Sequence, residues 1–389
     1  MFKYYTMNPI AEIGLEEFTD EYAPTGTLEK ADAILVRSAD MHEIVPSDNL
    51  LAVARAGAGV NNIPIDEFAK EGVVVFNTPG ANANGVKELV IAGMLLASRD
   101  ILGGINWVQE HEEDGDIAKD AEKAKKSFAG NELQGKKLGV IGLGAIGVLV
   151  ANAATSLGME VYGYDPYLSL KSAWSISRNI KHANTMDEIF EACDYITIHV
   201  PANDDTKSMI NKDAIGLMKD GAVILNFARD ILVNEEDIVD ALVSEKIKNY
   251  VTDFPTPGIA GVKNAIVIPH LGASTEESED NCAVMACNQI REYLEEGNIK
   301  NSVNFPNSDM GYHRDNTRIT LLHFNKPNMI GQFTKVLSKD EMNIADLSNK
   351  GNKKYAYTMI DIDPEFNVNE SVIEDLKSID GVLKVRVLQ

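Results

Sequence analysis

The chain has 389 residues, 44% of them hydrophobic, and a formal net charge of −23. Its length predicts two or three domains, and its acidic balance argues against a nucleic-acid-binding protein, which needs a basic surface. No apolar run is long enough for a membrane span, and the N-terminal sequence lacks the basic and apolar regions of a secretory signal. The three cysteines have neither an even disulfide count nor zinc-site spacing. We therefore expect a cytoplasmic protein without a membrane partner or a metal site.

The first hundred residues alternate between strand and helix signals. The apolar runs of strand length are FKYYTM, AILVR, LLAVAR and VVVFN, with polar, helix-permissive segments between them. This βα alternation predicts a parallel sheet. Residues 86–99 predict a helix that is apolar on nearly every side and therefore buried. The polar stretch QEHEEDGDIAKDAEKAKK, which follows, indicates a solvated helix or loop.

From Lys137 the βα pattern restarts more strongly. The strand candidates are KLGVIG, EVYGYD, YITIHV, AVILNFA, NYVTDF and AIVIPH. Six parallel strands with intervening helices predict a doubly wound dinucleotide-binding fold. A long helix over Glu276–Glu296 leads to a linker-like stretch, NSVNFPNSDMGYHRDN. Beyond it the order strand, helix, strand, helix, strand, with room for one more strand near MNIADLSNK, predicts a separate small module.

The stretch VIGLGAIG contains the pattern Gly142-x-Gly144-x-x-Gly147. It directly follows a predicted strand and begins a helix, and this context predicts a dinucleotide-binding turn. Gly142 permits the tight turn, Gly144 lets the backbone approach a pyrophosphate, and Gly147 allows close packing of helix on strand. The pattern therefore predicts a nucleotide cofactor bound at the start of this helix.

The residues around this turn predict which cofactor binds. The pyrophosphate would lie on the helix N-terminus, at Ala145 and Ile146, where free N–H groups and the helix dipole favour anions. Asp165, which ends the next strand, would accept hydrogen bonds from the ribose hydroxyls and repel a 2′-phosphate. We therefore predict NAD rather than NADP. Val200 and Pro201, which end a later strand, are expected to flank the adenine ring.

Two further residues stand just beyond strand ends, where ligands of doubly wound folds bind. Arg229, in VILNFARDILV, can donate two N–H bonds to a carboxylate. The alternative is a surface arginine, or one paired with Asp230. His270, in VIPHLGAST, titrates near neutral pH and can accept the proton of a substrate hydroxyl. The alternative is a histidine that is hydrogen-bonded within a packed loop.

The segments GNELQGKKLGVIGLGAIG, YGYDPY, HVP, NFAR and PHLGAST, in this order and spacing, resemble the D-2-hydroxyacid dehydrogenase family over residues 1–305. The resemblance implies an α/β enzyme with a doubly wound parallel-sheet NAD domain at 99–278. It also implies a flavodoxin-like substrate-binding domain formed by 1–98 and 279–303, with a cleft between the two domains. A linker at 304–315 follows.

By the same resemblance, Arg229 binds the substrate carboxylate and His270 is the general acid/base. Main-chain amides of Ala58 and Gly59, in ARAGAGVNNI, are also implied to bind the carboxylate, and glycine suits a close backbone approach. Further residues that the resemblance places at the cofactor are Phe227, Ala228, Arg229, Asp253, His270, Gly272 and Ala273.

Two arginines of the first domain bear on the substrate. Arg37, in ILVRSAD, and Arg55, in AVARAGAG, both end predicted strands and could bind a phosphate together. They resemble the arginines of family members that oxidise 3-phospho-D-glycerate, so the resemblance implies that reaction. The alternatives are two structural arginines in a glyoxylate or hydroxypyruvate reductase, or in another D-2-hydroxyacid dehydrogenase. A binding protein that senses NAD without turnover is a further alternative.

The segment LLHFNKPNMIGQFTKVLSKDEMNIADL resembles an ACT domain, a βαββαβ regulatory unit, over residues 316–389. The resemblance implies a homo-oligomer, a dimer or tetramer, and L-serine as an effector at His323, Asn325 and Asn343. Asn328 stands where the family generally has glycine, and its Cβ is expected to alter access to the backbone of this turn. The alternative is a module that only serves oligomerisation.

The segment VTDFPTPG departs from the family pattern. Members that oxidise 3-phospho-D-glycerate carry a glutamate here that orients the catalytic histidine, and this chain has none. Asp253 best matches the family residue that contacts the nicotinamide amide. The carboxylate partner of His270 therefore stays open, with Asp253 as one candidate and Glu276 and Glu277 as weaker ones.

Overall fold

The computed structural model describes all residues, 1–389. The chain forms two compact units: unit 1 comprises Met1–Ala81 and Glu279–Gln389, and unit 2 comprises Asn82–Ser278. No helix combines the length and the apolar character needed to cross a membrane. The assignment of substrate-binding, nucleotide-binding and regulatory domains to particular segments stays a prediction.

The N-terminal part of unit 1 is a parallel sheet. Its elements are β1 (Phe2–Thr6), α1 (Glu12–Leu15), β2 (Tyr22–Pro24), β3 (Ala33–Val36), β4 (Ala52–Arg55), α2 (Ile65–Lys70) and β5 (Val74–Phe76). The strand order is β2-β1-β3-β4-β5, which is the flavodoxin order, so the predicted fold is confirmed. The central strand β3 is buried along its whole length, as expected in a covered parallel sheet, and so is the edge strand β5. The sequence did not predict β2, which is only three residues long.

Unit 2 contains the second parallel sheet. Its strands are β6 (Lys137–Ile141), β7 (Glu160–Tyr164), β8 (Lys181–His182), β9 (Tyr195–Ile198), β10 (Ala222–Asn226), β11 (Ile247–Thr252) and β12 (Ala265–Val267). The order β8-β7-β6-β9-β10-β11-β12 has the doubly wound arrangement, with its reversal between β6 and β9. All six predicted strands are present. The two-residue edge strand β8 is additional, because so short a segment carries no periodic signal.

Unit 2 also contains eight α-helices. They are α3 (Ala83–Ser98), α4 (Ile101–Glu110), α5 (Ile117–Ala124), α6 (Ala145–Ser156), α7 (Leu170–Ser175), α8 (Met186–Ala192), α9 (Lys212–Leu217) and α10 (Glu235–Val243). The predicted apolar helix is α3, whose Val86, Val90, Met94 and Ala97 are buried at helical spacing. The polar stretch after it forms parts of α4 and α5, as the solvated alternative predicted.

The predicted long helix is α11 (Glu276–Glu296). The C-terminal module contains β13 (Thr317–Phe324), α12 (Met329–Lys339), β14 (Ile344–Gly351), β15 (Tyr355–Ile362), α13 (Glu370–Lys377) and β16 (Val382–Leu388). Its antiparallel sheet has the order β14-β15-β13-β16, which agrees with the predicted βαββαβ unit. Asn328, before α12, has φ +64°, and asparagine is among the few non-glycine residues that tolerate this left-handed conformation.

The two faces of the module's sheet have different neighbours. One face packs on α12 and α13 through a core that includes Ile319, Phe333 and Leu376. On the other face, Tyr357 and Met359 are buried in the same core cluster as Phe76 and Tyr293 of the first sheet and α11, among others. The module therefore shares a hydrophobic core with the rest of unit 1.

A buried arginine joins the module to α11. Arg318, on β13, is fully buried and donates to both carboxylate oxygens of Asp361, at 2.6 and 2.8 Å. Its Nη1 donates to the carbonyl oxygens of Glu296 (2.8 Å) and Gly311 (2.7 Å). The N–H donors of this guanidinium thus all have acceptors, which a buried charge requires.

Arg318→Met should be severely destabilising, because it leaves the Asp361 carboxylate buried without its partner. We expect a loss of about 3–5 kcal/mol in the free energy of unfolding of unit 1, measured by urea unfolding. Restoring neutrality with Asp361→Leu in the same chain should recover much of the loss. Lys377→Met, which removes an exposed helical ion pair to Glu374, should cost under ~1 kcal/mol. Equal effects of the two methionine substitutions would contradict this account.

Candidate active site

The glycine-rich turn joins β6 to α6. Gly142 has φ +91°, and a Cβ there would lie 2.5 Å from the carbonyl oxygen of His199. A Cβ on Gly147 would overlap the carbonyl oxygen of Gly142. Gly144, the N-cap of α6, has no atom within 4 Å of its Cβ position. Two of the glycines are therefore required by the protein's own packing, whereas the third leaves space at the helix N-terminus.

The start of α6 offers main-chain donors beside a fixed carboxylate. Ala145 and Ile146 begin the helix, and the first N–H groups of a helix have no intrahelical acceptor. Asp165 follows β7, and its carboxylate accepts hydrogen bonds from the N–H groups of Leu143 and Tyr167, both at 2.8 Å. Asp165, the residue predicted to bind the ribose, is thus fixed beside the glycine turn by these hydrogen bonds.

The loop after β9 packs on the same turn. A Cβ on Gly142 would lie 2.9 Å from Val200, and Pro201 follows directly. The Nε2 atom of His199 lies 2.9 Å from the hydroxyl oxygen of Thr197, and its Nδ1 has no hydrogen-bond partner. Burial lowers the pKa of His199 to about 3, so this ring is neutral at neutral pH.

Arg229 lies in a loop that a buried asparagine holds in place. Asn226, the last residue of β10, donates to the carbonyl oxygen of Arg229 (2.8 Å) and accepts from the N–H of Ala228 (3.2 Å). The exposed guanidinium donates to the carbonyl of Ala228 (2.6 Å) and forms no ion pair with Asp230. Phe227 is buried. The sequence reasoning overlooked Asn226, although a polar residue at the end of an apolar strand is a usable signal.

His270 lies just beyond β12, and its ring packs on Phe254 with a centroid separation of 4.8 Å. Asp253 is buried: its Oδ2 accepts from the N–H of Gly272 (3.1 Å), while its Oδ1 has no partner. Burial raises the pKa of Asp253, whereas the Gly272 N–H and the charges of His270 and Arg229 lower it. An unpaired, buried carboxylate oxygen near these two residues is an acceptor for a polar ligand group.

The structure pairs no carboxylate with the ring of His270. Neither ring nitrogen forms a hydrogen bond, and Asp253, Glu276 and Glu277 all lack an ion pair to it. Ala273, the last of the residues predicted to contact the cofactor, is half-buried in the turn that follows. The identity of the histidine's partner therefore stays open between these candidates.

In unit 1, Arg37 and Arg55 lie at the carboxyl ends of β3 and β4. The Nε of Arg55 donates to the carbonyl oxygen of Arg37 (2.8 Å), and its Nη1 donates to that of Gly59. Asn77 donates to the carbonyl of Ala58 (2.6 Å), whereas the N–H groups of Ala58 and Gly59 have no acceptor in the protein. This turn therefore has two N–H donors that are not used within the protein, as the predicted binding site for the substrate carboxylate requires.

Two residues around Arg37 were not found from the sequence. Asn8 accepts hydrogen bonds from the N–H groups of Arg37 (3.0 Å), Ser38 (3.1 Å) and Ala39 (3.0 Å). The guanidinium of Arg37 forms an ion pair with Glu279, on the first turns of α11. Both partners are remote in sequence, so no local pattern could have indicated them.

His323, predicted to bind an effector, is buried at the end of β13. Its Nδ1 lies 2.8 Å from the carbonyl oxygen of Phe324, and its Nε2 lies 2.9 Å from the hydroxyl oxygen of Thr358. Burial lowers the pKa of His323. Both ring nitrogens therefore have partners within the module.

The two predicted effector asparagines lie at opposite ends of β14. Asn325 donates to the carbonyl oxygen of Asn352 (2.7 Å), just after this strand. Asn343 precedes the strand and donates to the carboxylate of Asp363 (2.6 Å). The eight residues of β14 span roughly 25 Å. A single chain therefore does not bring the predicted effector residues into one site.

Residues 91–272 match the family model of the NAD-binding domain of D-isomer-specific 2-hydroxyacid dehydrogenases. The D-3-phosphoglycerate dehydrogenase of Escherichia coli strain K12 is 30% identical over 353 residues, which are 88% of this chain and 82% of that protein. The chain belongs to the D-2-hydroxyacid dehydrogenase family. It is an NAD-dependent enzyme that acts on a small 2-hydroxy acid, as the sequence predicted.

Solved structures agree with this fold. The NAD⁺-bound 3-phosphoglycerate dehydrogenase of Entamoeba histolytica is 27% identical, with a TM-score of 0.61, and the match covers 78% of this chain and 98% of that one. A glyoxylate reductase from Paecilomyes thermophila, 23% identical, has a TM-score of 0.65 over the same shares of the two chains. The residues of this dehydrogenase fit NAD, since open space lies at Gly144 and an unpaired carboxylate oxygen at Asp253.

The glycine turn yields a matched pair of substitutions. Gly144→Ala should leave thermal unfolding of the NAD-free protein unchanged, because its Cβ meets nothing. It should weaken NADH binding about tenfold or more, because the methyl group displaces a charged ligand from its N–H donors. Gly147→Ala should instead destabilise the protein by about 1–3 kcal/mol through overpacking. Fluorescence titration and thermal unfolding separate the two effects, and equal unfolding temperatures would contradict the geometry.

His199 should make unit 2 sensitive to acid. The unfolded histidine titrates near pH ~6.5, while burial lowers its folded pKa to about 3. Between these two pKa values the histidine is protonated in the unfolded state and neutral in the folded state. The free energy of unfolding therefore falls by up to ~1.4 kcal/mol for each pH unit below ~6.5. His199→Gln keeps an amide for Thr197 and should reduce this pH slope in urea unfolding. An unchanged slope would show that other groups control acid unfolding.

Proposed function

We propose that this dehydrogenase oxidises 3-phospho-D-glycerate to 3-phosphohydroxypyruvate with NAD. The observation that carries the proposal is the presence of Arg37 and Arg55 at adjacent strand ends of unit 1. A simple 2-hydroxy acid has one carboxylate, for which Arg229 already offers two donors. Two more guanidinium groups suit a second anionic group, and in a chain of net charge −23 a polyanion needs such local cations. The names of the two phosphoglycerate dehydrogenases reported above support this substrate.

The substrate's two anionic groups would have different partners. Arg37 and Arg55 would bind the phosphate, and the bonds from Arg55 to main-chain carbonyls fix the plane of its guanidinium. The carboxylate would accept hydrogen bonds from the N–H groups of Ala58 and Gly59 and from Arg229. Each donor set is supported by the loop geometry of its own unit.

His270 would accept the proton of the substrate's 2-hydroxyl group as a general base. NAD, when bound, supplies the acceptor for the hydride that leaves carbon 2. Loss of the hydride and the proton converts the C–OH group into C=O, so the products are a 2-oxo acid, NADH and a proton. The unpaired Oδ1 of Asp253 would accept from the nicotinamide carboxamide, and the turn at Gly144 would bind the pyrophosphate.

A glyoxylate or hydroxypyruvate reductase is the second candidate. Arg55 already donates to two main-chain carbonyls and Arg37 is already paired with Glu279. Both arginines could therefore serve the loops alone, and a substrate with one carboxylate would suffice.

The proposal includes regulation by L-serine in a homo-oligomer. β14 is an edge strand of the module's sheet, so a second copy could pair with it in antiparallel fashion. Such pairing would set the start of one β14 against the end of the other, and so bring Asn343 of a second copy toward Asn325. His323 would then fix the strand end, because both of its ring nitrogens already have partners.

Arg37→Ala should raise the KM for 3-phosphoglycerate about tenfold or more, because a hydrogen bond to a charged group is worth roughly 1.5–3 kcal/mol. The KM for hydroxypyruvate should change little. Arg55→Ala should impair both substrates, because it also releases the loop that carries Ala58 and Gly59. Steady-state assays in both directions, with and without L-serine, measure these effects.

The same assays distinguish the two candidates. Efficient reduction of glyoxylate or hydroxypyruvate without turnover of 3-phosphoglycerate would favour the reductase. Inhibition by L-serine would support the regulatory part of the proposal. Absence of inhibition would favour the alternative, in which the C-terminal module serves only oligomerisation.

A further inference from the structure

The ion pair between Arg37 and Glu279 joins two parts of unit 1 that are 242 residues apart in sequence. Arg37 follows β3, and Glu279 lies on the first turns of α11. The two side chains are 44% and 43% exposed. The pair is therefore accessible to a ligand from solvent, and its worth is modest enough for an anion to compete with it.

Both partners project from fixed backbone. Asn8 accepts from three successive N–H groups of the Arg37 turn, and Arg55 donates to the Arg37 carbonyl oxygen. Glu279 belongs to a helix whose N-terminus is capped by Thr275, which accepts from the N–H of Ser278 (3.1 Å). Because neither backbone needs to be ordered to form the pair, the entropy that opposes it is that of the two side chains alone.

The charges around this pair act on one buried thiol. Cys282 lies one turn along α11 from Glu279 and is buried. Burial raises the pKa of Cys282, the nearby guanidinium groups of Arg37 and Arg55 lower it, and the Glu279 carboxylate raises it. Two cations and one anion are grouped at the carboxyl ends of β3 and β4, since Arg55 donates to the carbonyl oxygen of Arg37 and Glu279 pairs with the Arg37 guanidinium.

We propose that Glu279 is a specificity-determining residue that competes with the substrate's phosphate for Arg37. This inference rests on the proposed function, in which Arg37 binds that phosphate. A guanidinium that is paired with a carboxylate cannot offer the same N–H groups to a second anion. Glu279 takes an N–H of Nη2 alone, but its negative charge beside the guanidinium also repels a second anion. A phosphorylated substrate must therefore either displace Glu279 or bind against its charge, and its apparent affinity is reduced in both cases.

The same competition selects among anions. A substrate that is also held by its carboxylate has other bonds with which to offset the displacement of Glu279, whereas inorganic phosphate has none. A 2-hydroxy acid without a phosphate does not need Arg37 and is unaffected. Glu279 thus sets the preference between phosphorylated and unphosphorylated substrates and disfavours free phosphate.

Glu279→Gln tests this role, because glutamine keeps the shape and one acceptor but removes the charge. We expect the KM for 3-phosphoglycerate to fall about three- to tenfold with little change in kcat, since an exposed ion pair and the repulsion of a dianion are removed. The KM for hydroxypyruvate should stay the same. Inorganic phosphate should bind the substrate-free enzyme more tightly, with its Kd, measured by isothermal titration calorimetry, lowered about threefold or more.

Asp280→Asn is the matched control, because it removes one negative charge from the next position of α11 and Asp280 has no ion pair. It should change neither the KM for 3-phosphoglycerate nor the Kd of inorganic phosphate by more than about twofold. Equal effects of the two substitutions would overturn the inference, because they would reflect general charge. A raised KM in Glu279→Gln would also overturn it, because Glu279 would then align Arg37 for binding.

Failure of the proposed function has a different signature. If no variant turns over 3-phosphoglycerate, that function fails, and the Kd of inorganic phosphate still decides on Glu279. A lower Kd in Glu279→Gln supports its competition for Arg37, and an unchanged Kd overturns it. If Arg37→Ala loses 3-phosphoglycerate turnover while Glu279→Gln behaves like the control, only the inference about Glu279 fails.

Discussion

The C-terminal end of α11 is where the small module is fixed to the rest of unit 1. Arg318 donates to the carbonyl of Glu296, Arg386 donates to those of Tyr293 (3.0 Å) and Leu294 (2.7 Å), and Tyr357 donates to that of Gly297 (2.7 Å). A helix ends with unpaired carbonyls and a negative dipole, and a guanidinium cannot lose its charge when buried. The donors of the module therefore satisfy the carbonyl oxygens at the end of α11, and these carbonyls in turn accept from the buried guanidinium groups. These bonds keep the apolar face of the module packed in the shared core.

The same helix contributes to the anion-binding loops of unit 1. Its first turns carry Glu279, which pairs with Arg37, while Arg55 joins the two neighbouring loops through their carbonyl oxygens. Lys384, on β16, donates to the carbonyl oxygen of Leu50 (2.7 Å), just before β4, and burial lowers its pKa. These loops are therefore ordered by side-chain bonds to the main chain, which lowers the entropy that a substrate must remove on binding.

Features with a local signal could be predicted from the sequence, and features that depend on distant partners could not. The strands of both parallel sheets and the turn at Gly142 follow from short-range patterns of apolar residues and glycine. The burial of Arg318 was invisible, because an isolated arginine in a strand pattern indicates an exposed or edge position. The sequence likewise could not predict that Arg37 pairs with Glu279 or that Asn8 binds the turn at Arg37. Each of these interactions joins segments that are distant in sequence and adjacent only in the folded chain.

The segment VTDFPTPG shows why a missing residue cannot be interpreted from the motif alone. A Cβ on Gly258 would overlap the carboxylate of Glu235, which also accepts a hydrogen bond from the hydroxyl of Thr256. The absence of a side chain at Gly258 leaves space for Glu235, which comes from the start of α10. A carboxylate therefore does lie at this loop, but it is hydrogen-bonded to the loop and not to the histidine. Asp253 is left as the buried acid beside His270, with one oxygen bonded to Gly272 and the other unpaired. Because an unpaired buried carboxylate oxygen is costly, this oxygen is suited to accept a hydrogen bond from a ligand group, or from the His270 ring after a small shift of that ring.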